Sequence, residues 1–234
     1  MNSTERMKLF VIEGVDGAGK STQTRLLIDY LSRIGYDCVY MHFPRTDAPY
    51  FGELIARFLR GEFGSLNDVD PYLVAMLYAG DRKDASTIIS NWLSEGKIVL
   101  IDRYTYSNIA YQCAKLSNGS SRKKLMDWIL ALEFDHFAIP KPDLNIFLDV
   151  PFIFAENILT KARKGNDRNY LNGSRDIHEN SMAFQKKVRD VYLKVSESDV
   201  RLVVADCSDG NGAMLPPAAI FERIIKILNE RKLI

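Results

Sequence analysis

Leu9-Phe10-Val11-Ile12-Glu13-Gly14-Val15-Asp16-Gly17-Ala18-Gly19-Lys20-Ser21 is the stretch on which the reading of this chain turns. Four apolar residues run into a loop of the form G-x-x-x-x-G-K-[ST]. Leu26, Leu27, Tyr30 and Leu31 then follow at helical spacing. Strand, glycine-rich loop and helix in this order are the context a phosphate-binding loop requires. The glycines let the backbone curl so that successive N–H groups point inward, and the helix start adds the positive end of a dipole. Lys20 can reach β- and γ-phosphates, and the Ser21 hydroxyl can ligate Mg²⁺.

Around this centre the chain reads as five apolar strands alternating with helices. The strands are Met7 to Glu13, Cys38 to Phe43, Ile98 to Ile101, Leu144 to Leu148 and Val200 to Ala205. Near-continuous apolar runs of this length mark buried parallel strands, so the expectation is an α/β fold with a five-stranded parallel sheet flanked by helices. Asp70-Pro71 predicts the start of a long helix, and Ser117-Asn118-Gly119-Ser120 a polar turn between helices at Ser107–Lys115 and Arg122–Phe134. With 234 residues, 47% hydrophobic, and no linker or internal repeat, residues 1–234 form a single domain on this reading.

Lys+Arg 31 against Asp+Glu 30 gives a net charge of +1, which offers no strong field for nucleic acid or membrane. Cys38, Cys113 and Cys207 are odd in number and widely spaced, which argues for a reducing compartment over a disulfide frame. No run reaches the length of a membrane span and the first residues carry no signal-peptide core, so the expected location is cytoplasmic.

Ligands of open parallel sheets bind beyond the carboxyl ends of the strands. The sequence puts charge there repeatedly: Phe43-Pro44-Arg45 after the second strand, Asp102-Arg103-Tyr104 after the third, Asp206 after the fifth. Asp102 stands where a carboxylate orients Mg²⁺. Arg45 and Arg103, at two strand ends, can converge on one phosphate, implying a second phosphorylated ligand beside the nucleotide triphosphate. Tyr78 and Arg82 are one helical turn apart and can present an aromatic face and a guanidinium to a base. Arg163 to Arg175 is a basic loop with glycines and asparagines, read as a mobile lid over about residues 161–177 that can close on a γ-phosphate.

In order, Glu13 to Gln23, Phe43-Pro44-Arg45, Leu77-Tyr78-Ala79-Gly80-Asp81-Arg82, Asp102-Arg103-Tyr104 with Ser107 and Ala110-Tyr111-Gln112, and Pro140-Lys141-Pro142-Asp143-Leu144 resemble the thymidylate kinase family. The resemblance implies a P-loop NTPase three-layer sandwich that transfers the γ-phosphoryl of ATP to dTMP with Mg²⁺, serving dTTP supply. By the same resemblance, Gly14, Val15, Asp16, Gly17, Ala18, Gly19, Lys20, Ser21 and Thr22 bind ATP. Lys20, Asp16, Arg103, Arg163 and Arg168 form the catalytic set, and Ser21 and Asp102 serve the metal. Asp16 bonds the 3′-hydroxyl and Arg45 and Arg103 hold the dTMP phosphate, with Phe43 and Ser107 beside them. Tyr78 stacks on thymine, Arg82 bonds its O4, Tyr111 packs under the sugar against a 2′-hydroxyl, and Gln112 lies near the base. The loop after the fifth strand touches adenine.

Family members are typically homodimers. Some carry an arginine after the loop aspartate; here that position is Gly17, so the resemblance moves the catalytic cation to the lid, among Arg163, Lys164 and Arg168. His178-Glu179 resembles the polar pair after the family's lid. Two alternatives stay open: another nucleotide or deoxynucleoside kinase on the same scaffold, including one for dUMP, and a nucleotide-binding regulatory protein. The absence of an N-K-x-D guanine motif and the two acceptor-side arginines count against the second.

Overall fold

The computed structural model describes residues 8–160, 170–171, 176–178 and 181–234. Five strands, β1 (Lys8–Glu13), β2 (Cys38–His42), β3 (Ile98–Asp102), β4 (Leu144–Asp149) and β5 (Leu202–Asp206), form one parallel sheet in the order β2-β3-β1-β4-β5. The register pairs Ile12 with Asp102 across β1 and β3, and His42 with Asp102 across β2 and β3. Three loop-bearing strand ends therefore finish level, at one edge of the sheet.

Alternation along β1 divides the core. Phe10 and Ile12 pack on one face with helices α1 (Lys20–Arg33), α7 (Met182–Ser196) and α8 (Pro217–Glu230). Leu9 and Val11 pack on the other with α3 (Pro71–Ser94), through Ala85 and Ile89. Successive strand side chains point to opposite faces, so a strand covered on both sides must be apolar throughout. β1 and β3 are fully buried from Leu9 and from Ile98. The result is helix, sheet and helix in three layers, the expected α/β architecture.

Local chemistry sets most boundaries. Asp70 caps α3, its side chain accepting from Tyr72 N at 2.8 Å, with Pro71 at the first helical position. Gly35, at φ 94, follows the end of α1. α2 (Phe51–Leu59) fits against α3 where Gly80 leaves room for the Phe51 ring. α4 (Thr105–Cys113) starts two residues earlier than the pattern predicts. α5 (Gly119–Leu130) starts three residues earlier, because the Asn118 side chain accepts from Ser121 N at 2.7 Å and draws Gly119 and Ser120 into the helix. Beyond Leu130 the α-helix does not continue as expected; Ala131–His136 is a π-helical turn. α6 (Phe152–Thr160) leads away from β4. Among the described residues no helix is long and apolar enough to cross a membrane.

Candidate active site

A cavity of about 690 Å³ opens at the carboxyl edge of β1, β2 and β3. The loop after β1 forms one rim. Gly17 (φ 78) and Gly19 (φ 80) hold backbone conformations that other residues rarely adopt, and α1 starts directly behind Gly19. Val15 and Ala18 anchor the loop by burying their side chains, while Lys20 Nζ donates to the Val15 carbonyl at 3.1 Å. Asp16, Gly17, Lys20 and Ser21 line the cavity. Gly14 lies against Ala18, and the Thr22 N–H donates to the Gly19 carbonyl.

Asp16 is the centre of the site. Its Oδ1 accepts from Arg103 Nη2 at 2.6 Å, and its Oδ2 accepts from Tyr111 OH and from Gln185 Nε2, both at 2.8 Å. Burial pushes this carboxyl upward, but the charges of Arg103 and Lys20 prevail and hold it well below the usual carboxylate range. Arg103 takes φ 66, an uncommon backbone for a residue with a side chain, and its N–H donates to the Ile12 carbonyl at 3.0 Å. That turn swings the guanidinium from the end of β3 back over the loop.

Arg45 also lines the cavity, with Phe43 beneath it. Its Nε donates to Asp81 Oδ1 at 2.8 Å and its Nη2 to Asp84 Oδ2 at 2.7 Å, so α3 fixes this guanidinium. Tyr78 and Arg82 share the α3 face toward the cavity, as their spacing predicts. Arg82 is 2% exposed and bidentate to Glu133. Gln112 is buried in the wall, and its Oε1 has no hydrogen-bond partner among the described residues.

Ser107 turns its hydroxyl to Glu13 Oε2 at 2.5 Å, so its clearest contact is structural support beneath Arg103. Asp102 is buried beside His42, whose Nδ1 lies 3.6 Å from Asp102 Oδ2. Burial acts to raise the Asp102 carboxyl, yet the charge of Lys20 and the His42 hydrogen bond bring it below its ordinary value. Arg163, Lys164 and Arg168, and Glu179 of the polar pair, lie outside the described residues.

Three further residues support the site through contacts that the sequence did not assign. Glu13 is fully buried and accepts from the N–H groups of Tyr104 and Ser107 and from the hydroxyls of Ser107 and Tyr192. Burial raises its carboxyl. Gln185 on α7 joins Asp16 to the His178 carbonyl. His178 packs between Tyr111 and Phe184, and burial and the Lys115 charge push its imidazole down to about 3, so it stays neutral.

A family model described as thymidylate kinase matches residues 12–213. A probable thymidylate kinase of Thermococcus onnurineus is 37% identical over 202 residues, covering 83% of this chain and 88% of the relative. The thymidylate kinase of Homo sapiens is 30% identical, covering 82% and 81%. Among solved structures, the thymidylate kinase of Candida albicans superposes with a TM-score of 0.70 at 26% identity, covering 97% of this chain and 93% of that one. A matched span that runs from the phosphate-binding loop to the segment after β5, on a fold with this site at its sheet edge, has one reading: the chain belongs to the thymidylate kinase family.

Proposed function

We infer that this chain transfers the γ-phosphoryl group of ATP to dTMP, giving dTDP and ADP. The observation that carries the reading is the bonding of Asp16, inside the donor loop, to Arg103 and Tyr111 on the acceptor side of one cavity. A loop that only held a nucleotide would have no use for that link.

In this reading Gly14 to Thr22 cradle the ATP phosphates with their N–H groups, and Lys20 exchanges its Val15 contact for the β- and γ-phosphates. Arg45 and Arg103 hold the dTMP phosphate, each pre-aimed by a carboxylate. An oxygen of that phosphate bonds the γ-phosphorus as the bond to the β,γ-bridging oxygen breaks, and ADP leaves with the electron pair. Positioning and charge supply the catalysis, so no side-chain nucleophile is required. Arg163 and Arg168, with Lys164, are proposed as the lid cations that meet the γ-phosphate. Asp16 faces the 3′-hydroxyl, Tyr78 the thymine ring, Arg82 its O4, Tyr111 the sugar, and Phe43, Ser107 and Gln112 complete the wall.

Ser21 and Asp102 would hold Mg²⁺, and the fit is chemical: Asp102 Oδ1 is a buried carboxylate oxygen without a hydrogen-bond partner among the described residues. When bound, the ion neutralises charge on the β- and γ-phosphate oxygens. The proposal extends to a single domain over residues 1–234 with a lid at about 161–177, to a cytoplasmic setting suited to three free thiols, and to a homodimer. Exposed Leu73 and Met76 share a face of α3 with Gly80 and the Phe51 ring it receives, which favours pairing there.

An ADP-release assay with dTMP, dUMP, dCMP, UMP and AMP tests the function. Fastest turnover of dTMP is expected; no turnover of dTMP, or faster turnover of another monophosphate, overturns it.

A further inference from the structure

The π-helical turn that ends α5 carries Glu133, and turns of this kind are frequent at functional sites. Glu133 follows Leu125 and Ile129, the two buried residues of α5, at four-residue spacing. A carboxylate in an apolar stripe is unfavourable unless its oxygens are saturated with donors. Here four donors meet it. Arg82 gives two, from Nε to Oε2 and from Nη2 to Oε1, both at 2.6 Å. Thr105 Oγ1 donates to Oε2 at 2.8 Å, and Asn108 Nδ2 to Oε1 at 3.0 Å. Arg82 is 2% exposed and Glu133 0%, and the donors come from α3 and α4, which both border the cavity.

This fork uses the Nε and Nη2 edge of the guanidinium and fixes its plane. Nη1 is then the edge with no hydrogen bond among the described residues, on a side chain that lines the cavity. The N–H groups left over, two on Nη1 and the second on Nη2, lie in that fixed plane, and a guanidinium can only donate. It suits a pyrimidine 4-oxo group, whereas a 4-amino group would leave the buried N–H unpaired.

We propose that Glu133 is a positioning residue that fixes Arg82 as the reader of the pyrimidine 4-oxo group, with the π-helical turn carrying its carboxylate to that arginine. The proposal rests on the reading above in which Arg82 meets the base. Its distinct content is that discrimination against 4-amino pyrimidines depends on a residue that never touches substrate.

The test is steady-state kinetics with dTMP and dCMP on Glu133→Gln, Thr105→Val, Arg82→Gln and the double variant Arg82→Gln/Glu133→Gln, with folding followed by circular dichroism. Expected for Glu133→Gln is a rise in KM for dTMP with kcat/KM down roughly 10- to 100-fold, since small misplacements of positioning groups cost this much. The preference for dTMP over dCMP narrows by a similar factor, and KM for ATP does not change. Thr105→Val moves the same quantities less far, and in the double variant Glu133→Gln adds no further loss to Arg82→Gln.

Unchanged KM and preference in folded Glu133→Gln, or equal losses on both substrates, overturn the proposal. If Glu133→Gln does not fold, an unchanged preference in Thr105→Val overturns it. The underlying reading fails separately, if Arg82→Gln alone leaves KM and preference untouched.

Discussion

Arg103 Nη2 donates to Asp16 Oδ1 at 2.6 Å, joining the end of β3 to the middle of the phosphate-binding loop across 87 positions of sequence. The bond aims the arginine and holds the aspartate ionised. Asp16→Asn is expected to lower kcat/KM for dTMP about 100-fold or more, the scale of losing one pre-aimed electrostatic contact, with the far-ultraviolet spectrum unchanged. The pH dependence has a definite sign. A carboxyl held below its ordinary 3.8 in the folded state stabilises above that value, and the contribution fades as pH falls beneath it. The curve of thermal midpoint against pH should therefore be flatter below about pH 4 in the variant; a curve parallel to wild type would contradict the pairing.

Lys115 provides a test that is independent of activity. Its Nζ is buried without a hydrogen-bond partner, lies 4.9 Å from the centroid of the Phe58 ring, and is neighboured in charge by Asp70 and His178. Burial pushes the amine down to about 7, against the opposing pull of Asp70. Between that value and the ordinary 10.5 the unfolded chain binds a proton that the folded chain does not, so stability rises with pH through this window. Lys115→Met should stabilise by about 1–3 kcal/mol at pH 7, the cost of a buried unpaired polar group, and should remove that slope. A thermal midpoint lowered at pH 7 would count against this account.

Gly52 sits where a Cβ would meet the Arg45 carbonyl oxygen at 2.0 Å and its carbonyl carbon at 3.1 Å. Backbone cannot step aside as a side chain can. Gly52→Ala gains up to about 1 kcal/mol of helix propensity but forces a shift costing about 1–3 kcal/mol, so net destabilisation is expected in denaturant titration. Because the displaced backbone carries Arg45, KM for dTMP should rise more than KM for ATP. Equal KM values and an unchanged midpoint would show that the close approach is relieved elsewhere.

For the proposed homodimer, Met76 offers the direct test, as it is 44% exposed beside Leu73 at 55%. Met76→Glu puts a charge on that face of α3 and should shift sedimentation from dimer to monomer without unfolding the chain. A wild-type protein that sediments as a monomer, or a variant that stays dimeric, would remove this face from the assembly.

The sheet was readable because the strand interiors are near-continuous apolar runs, interrupted by Asn145 in β4, and the strand-end rule located Arg45, Asp102 and Arg103 at the edge where the cavity opens. Helical spacing likewise paired Tyr78 with Arg82. Hidden from the sequence were the groups that aim those side chains. Glu13 meets Ser107 across 94 positions, Arg82 meets Glu133 across 51, and Gln185 meets Asp16 across 169. No periodicity records such distances. Glu133 had left one trace, a carboxylate in step with Leu125 and Ile129, which a continuous helix over Arg122–Phe134 obscured.

Glu13 closes the last strand position before the phosphate-binding loop, and its two oxygens secure the backbone at Tyr104 and Ser107 and the hydroxyl of Tyr192. One buried carboxylate thus underpins the ATP loop, the turn that carries Arg103, and α7. Substitutions at Glu13, Ser107 and Tyr192, whose side chains meet, should be strongly epistatic: a change at Ser107 or Tyr192 is tolerated or lethal according to what stands at residue 13. A saturation library built on positions 13, 107 and 192 together would recover functional triplets that libraries at single positions miss.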